Sequence, residues 1–122
     1  MPRAAVLGKP VAHSLSPVIH RAGYAAAGLT GWSYAAIECA ESELAGLVGK
    51  LDAGWVGLSL TMPLKEAAPG VAGQVSPLVA TLGAANTLVR GPDGSWRAEN
   101  TDVPGMVDAL GAVPPGADVV VL

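Results

Sequence analysis

Trp55-Val56-Gly57-Leu58-Ser59-Leu60, followed at once by Thr61-Met62-Pro63-Leu64-Lys65, decides the fold class. The nearly continuous apolar run suits a parallel strand buried on both faces. The proline that breaks it leaves Thr61 and Lys65 at the strand's carboxyl end, where open α/β sheets gather their ligands. Upstream, residues 3–7 predict a short strand closed by Gly8 and Pro10, 17–27 a helix ended by Gly28, and 32–37 a second strand. Ser42 then opens an amphipathic helix whose apolar positions Leu44, Leu47, Val48 and Leu51 are three or four apart. Downstream, 64–68 predicts a short helix, and Ser76-Pro77 offers another helical start. Residues 86–90 and 95–100 form a hairpin around Gly91-Pro92-Asp93-Gly94, in which proline fixes φ and glycine frees it. A helix over 102–110, a Gly/Pro-rich linker over 111–117 and an apolar β run over 118–122 complete the order. Strands alternating with helices place the chain in the α/β class.

Composition narrows the function classes. With 122 residues, 51% hydrophobic and 14% charged, the chain suits one compact domain and is too apolar for disorder. A net charge of −3 and scattered Lys and Arg offer no stripe that could track phosphates, so nucleic acid is not an expected partner. Gly, Pro or a polar residue interrupts every apolar run before the roughly 18 residues a membrane span needs. The start carries only four apolar residues before Gly8, which predicts no export signal. One cysteine, Cys39, excludes a disulfide framework and a cysteine-based zinc site, and fits a reducing, cytoplasmic setting. A domain seldom ends on an unpaired apolar strand, so the run over 118–122 predicts the front part of a longer protein.

Four pieces carry chemistry. In Gly8-Lys9-Pro10-Val11-Ala12-His13-Ser14-Leu15-Ser16-Pro17, a strand leads into a helix with Ser16 at the N-cap and Pro17 at the first helical position. Such a start binds anions through free backbone donors and nearby hydroxyls, although capping alone also accounts for it. His13 and His20 lack the acidic company of a metal site and suit packing or capping, so no metal is expected. The second piece is the strand end with Thr61 and Lys65, one of only three lysines and held beside Pro63. The third and fourth are the feet of the hairpin, Ala84-Ala85-Asn86-Thr87 and Glu99-Asn100-Thr101-Asp102. If the turn centres between Pro92 and Asp93, Asn86 faces Glu99 and neighbours Asn100 and Asp102. Thr101 or Asp102 would equally serve to cap the helix that follows. Together these pieces offer hydroxyls and backbone donors for an anion, an amide for hydroxyl groups, and a lysine and an aspartate for proton transfer. That set fits a small polyhydroxy carboxylic acid.

In order and spacing, Gly8-x-Pro10-x-x-His13-Ser14-x-Ser16-Pro17-x-x-His20, Gly57-x-x-x-Thr61-x-Pro63-x-Lys65, Gly83-Ala84-x-Asn86-Thr87 and Asn100-Thr101-Asp102-x-x-Gly105 resemble the shikimate dehydrogenase family. The resemblance implies an open, mainly parallel three-layer αβα substrate-binding domain with a β-hairpin over 1–111. Residues 112–122 would then be a linker and the first strand of a Rossmann domain that binds NADP. Carried over by residue, it implies that Ser14, Ser16 and Thr61 hold the shikimate carboxylate and that Asn86 and Asp102 bind the ring hydroxyls. Lys65, paired with Asp102, would be the catalytic acid/base in the reduction of 3-dehydroshikimate to shikimate, a step towards chorismate and the aromatic amino acids. No cofactor-binding residue is expected within the chain, which alone would be inactive. The chain departs from the family pattern at Ser59 and Arg21, where Asn is frequent, and at Ser76-Pro77, where an acidic residue is frequent. A non-redox module binding shikimate or quinate is the rival reading. Shikimate against quinate, NADP against NAD, and monomer against homodimer stay open.

Overall fold

The computed structural model describes residues 1–122. Its elements are β1 (Arg3–Gly8), α1 (Ser16–Ala26), β2 (Ser33–Glu38), α2 (Leu44–Gly49), β3 (Trp55–Leu60), β4 (Gln74–Val75), α3 (Pro77–Leu82), β5 (Thr87–Arg90), β6 (Trp96–Glu99) and α4 (Asp102–Leu110). Single 3-10 turns lie at Glu41–Glu43 and Ala68–Val71. One six-stranded sheet runs in the order β2-β1-β3-β5-β6-β4. β1 is parallel to both β2 and β3, β5 is antiparallel to β3 and β6, and β4 lies parallel to β6.

The period-two geometry of β1 divides the interior. Ala5 and Leu7 point into the larger cluster, with Leu44 and Val48 of α2, Ala68, Val79 of α3, and Leu58, Leu60 and Leu88 of the sheet. Ala4 and Val6 point the other way, into a smaller cluster with Val11, Tyr34 and, on α1, Tyr24. Helices therefore cover both faces, giving the three layers. Leu58, Leu64 and Leu88 are almost fully buried, each worth about 1.5–3 kcal/mol of transfer free energy. No helix is long and apolar enough to cross a membrane.

Several expectations are corrected. β3 is parallel on one side only, and just Leu58 and Leu60 along it are buried. Its other face carries Gly57 and Ser59, half open above the sheet. No α-helix forms over 64–68. Turns closed by Leu64 N–H to Thr61 O and Ala67 N–H to Leu64 O lead into the 3-10 turn, because Pro63 and Pro69-Gly70 bracket too short a stretch for a helix. Ser42 lies inside a 3-10 turn rather than starting α2, and the Glu43 carboxylate reaches back to accept the Ala40 N–H at 3.0 Å. Ser76 does cap α3, accepting the Val79 N–H at 3.2 Å, and Gly83 ends that helix at φ +72°, a conformation that favours glycine. The hairpin pairs Thr87 with Glu99, one residue from the expected register, because five residues, 91–95, form its loop. Residues 118–122 form no strand: the sheet offers them no neighbour, and Val119 to Leu122 are exposed.

Candidate functional site

Three backbone links bring the carboxyl ends of β1 and β3 to the foot of β5. Thr61 N–H donates to Leu7 O at 2.9 Å, Leu60 N–H to Asn86 O at 2.8 Å, and Lys9 N–H to Met62 O at 3.0 Å. The Lys9–Pro10 and Met62–Pro63 peptides are cis. An open cleft of about 500 Å³ lies at this end of the sheet, and Ser14, Ser16, Thr61, Lys65, Asn86 and Asp102 all line it. The sequence thus named six residues that the fold gathers in one place.

Their local roles differ from expectation at two caps. Leu15, not Ser16, is the N-cap residue of α1, and the Ser14 hydroxyl accepts the Ser16 N–H at 3.2 Å. Ser16 stands in the first turn with its hydroxyl at the cleft. At α4 Thr101 stands at the N-cap position, as expected, but its side chain makes no capping bond. Asn100 accepts the Val103 N–H at 3.1 Å and donates to Ala84 O at 3.2 Å. Asp102 is therefore free of capping, and its Oδ2 receives the Lys65 ammonium at 2.7 Å. Lys65 is held from behind, because the Ala85 N–H donates to its carbonyl at 2.8 Å and the adjacent Leu64 is fully buried.

Asn86 is oriented without ambiguity. Its Oδ1 accepts the Thr101 backbone N–H and the Thr87 hydroxyl, both at 2.9 Å, while Nδ2 donates to Thr101 Oγ1 at 2.7 Å. A backbone N–H can only donate, which fixes the amide and leaves one Nδ2–H to offer a ligand. Asn100 is nearly buried, so Asn100→Ala removes a cap and strands the Ala84 carbonyl. The expected loss is about 1–3 kcal/mol in urea unfolding, with Asn100→Asp recovering the share due to the cap.

Sequence reasoning gave no site role to Ser59, Thr87, Thr101 or His20, which also line the cleft. For Ser59 a signal was present, since it lies two residues before Thr61 and the sheet pairs it with Thr87, next to Asn86. Behind the cleft, burial pushes the Tyr34 phenol above its ordinary pKa, against smaller opposing effects from the Ser59 and Ser16 hydroxyls. Burial, aided by Glu43, likewise raises the Cys39 thiol, leaving an unreactive interior sulfur. An ammonium–carboxylate pair, three hydroxyls and an amide around an open polar space can hold a small polyhydroxy acid and pass it a proton.

Residues 6–88 match the family model described as the shikimate dehydrogenase substrate binding domain. A relative from Caulobacter vibrioides, shikimate dehydrogenase (NADP(+)), is 46% identical over 115 residues, covering 93% of this chain and 40% of the relative. The chain thus spans about 40% of the length of that curated relative. Shikimate dehydrogenase of Mycobacterium tuberculosis superposes with a TM-score of 0.88 at 49% identity, over 93% of this chain and 43% of that one. The Thermus thermophilus enzyme in complex with NADP(H) and shikimate superposes with a TM-score of 0.84 at 42% identity, over 90% of this chain and 41% of that one. With the six expected site residues of these motifs in one cleft and the family model matching residues 6–88 of its 122, the chain belongs to the shikimate dehydrogenase substrate-binding domain family.

Proposed function

We propose that residues 1–111 form the substrate-binding part of a cytoplasmic, NADP-dependent shikimate dehydrogenase, and that 112–122 lead into its cofactor-binding part. The observation that carries this reading is the Lys65–Asp102 pair, 2.7 Å apart in the cleft that also presents Ser14, Ser16, Thr61 and Asn86. The relatives' names supply the reaction class and the cofactor.

In this reading the carboxylate of shikimate lies against the hydroxyls of Ser14, Ser16 and Thr61, and the free Nδ2–H of Asn86 meets a ring hydroxyl. The part these residues play lies on the proton side of the reaction, through Lys65 and Asp102. The dinucleotide, when bound, supplies the hydride. As negative charge grows on the C3 oxygen of 3-dehydroshikimate, the Lys65 ammonium stabilises it and transfers a proton from Nζ to that oxygen. Asp102 keeps the ammonium aimed and accepts a hydrogen bond from the neighbouring ring hydroxyl. In the oxidation of shikimate the same groups act in reverse.

The test is turnover by the complete gene product. Shikimate with NADP⁺ is expected to give reduced dinucleotide, with quinate and NAD⁺ as the slower alternatives. Saturable shikimate binding without any reduction of either dinucleotide would instead establish a non-redox binding module.

A further inference from the structure

Tyr34 sits on β2, yet its hydroxyl reaches across β1 to β3, donating to Ser59 Oγ at 2.7 Å. The small Ala4, directly opposite Tyr34 in register, leaves room for the ring to cross the strand between them. Only 3% of Tyr34 is exposed. It is held on every side. The His20 ring stacks on it at 4.1 Å with a 10° tilt, and His20 Nδ1 is itself fixed at 2.8 Å from Ser16 O. Arg21 clamps the Tyr34 carbonyl through Nε at 3.1 Å and Nη2 at 2.8 Å.

The direction of this hydrogen bond matters. A serine hydroxyl carries one proton and rotates freely, so in isolation it points as readily toward a backbone acceptor as toward a ligand. Once Ser59 Oγ accepts the Tyr34 proton, its own proton cannot point at Tyr34. Ser59 lines the cleft, with Thr87 its partner on β5, and Ser14 and Ser16 line the same space. Resting on the function proposed above, we infer that Tyr34 is a positioning residue, whose hydroxyl aims the Ser59 O–H into the cleft as a further donor for the substrate carboxylate. Burial keeps the phenol protonated and therefore able to donate. The rigidity of the ring means that little side-chain freedom is lost when the acid binds.

The experiment compares wild type, Tyr34→Phe, Ser59→Ala and the double variant of the complete gene product, with shikimate and its methyl ester as substrates. Tyr34→Phe keeps the ring and the His20 stack, so its melting temperature is expected to stay close to wild type. KM for shikimate should rise about five- to tenfold with kcat changed less than about twofold, since only binding of the carboxylate is weakened. Preference for the acid over the ester should fall by a similar factor. Ser59→Ala should reproduce both effects, and the double variant should be no worse than Ser59→Ala alone, because Tyr34 acts through Ser59. Should Tyr34→Phe prove unstable, Ser59→Ala alone still reads the carboxylate effect. A KM within twofold of wild type, or effects that multiply in the double variant, would overturn the role of Tyr34 while leaving the proposed function standing. Absence of shikimate turnover by the wild type would overturn both.

Discussion

Lys65→Ala is expected to lower kcat by about 10²-fold or more while changing KM for shikimate only a few-fold. The asymmetry follows from where the ammonium acts. In the proposed function, its charge and proton matter most as the C3 oxygen becomes anionic, a state reached only on the way over the barrier, whereas ground-state binding is shared among hydroxyls, amide and carboxylate. The fold should hardly notice. Lys65 and Asp102 are each about 40% exposed, so their ion pair adds only about 0–1 kcal/mol to stability, and Asp102 stays hydrated when its partner is cut away. Lys65→Arg is expected to restore little, since a guanidinium retains the charge but does not release its proton near neutral pH. Steady-state kinetics with shikimate and a melting curve for each variant decide the matter. A rise in KM with kcat intact would reduce Lys65 to a ligand contact.

The second large effect is expected far from any titrating group. Gly8 ends β1, and a Cβ placed there would collide with Thr61 Cγ2 and lie 3.0 Å from Met62 O. The Thr61 side chain must turn away, and the Met62 carbonyl, held by the Lys9 N–H, must give by a few tenths of an ångström. Gly8→Ala must therefore displace the Thr61 side chain from its place in the cleft. Alanine in a strand ordinarily gains some 0.5–1 kcal/mol over glycine; here overpacking is expected to reverse the sign and cost about 1–3 kcal/mol. KM for shikimate should rise about tenfold or more as Thr61 leaves its place, a 1 Å displacement being enough for losses of that order. Gly46→Ala is the control. It meets open space on α2 and should leave kinetics unchanged and stability equal or slightly higher. Equal behaviour of the two variants in urea unfolding and in KM would contradict the argument.

What the sequence disclosed, it disclosed through periodicity and turn chemistry. The apolar spacing of Leu44, Leu47 and Val48, the break at Pro63, and the Gly-Pro-Asp-Gly turn each have a local cause that acts whatever the rest of the chain does. The six cleft residues were legible together through the family resemblance, and of them Thr61 and Asn86 also stand beside strand ends, where an α/β sheet gathers its ligands. Caps were not legible in the same way. Asn100, Thr101 and Asp102 are all competent to cap α4, and only the position of the Ala84 carbonyl selects Asn100. β4 escaped notice because two residues carry no periodicity, and its pairing depends on β6, more than twenty positions away. Tyr34 was invisible for a similar reason. Its partner Ser59 is brought near by the β2-β1-β3 order, a tertiary fact that no window of sequence contains.

The antiparallel seam between β3 and β5 has a consequence for how the protein would respond to the proposed substrate. On one side of the seam stand Ser14, Ser16, Thr61 and Lys65, and on the other Asn86 and Asp102. A molecule seated in the cleft grips both halves of the sheet and can be held only by a chain in which the two are already joined. Its binding free energy is then drawn on by every unfolding route that parts the seam, not by the fraying of one loop. At a hundred times its dissociation constant a ligand deepens the native state by about 2.7 kcal/mol. A cleft occupied by the proposed substrate would thus act as a rivet through the middle of the sheet.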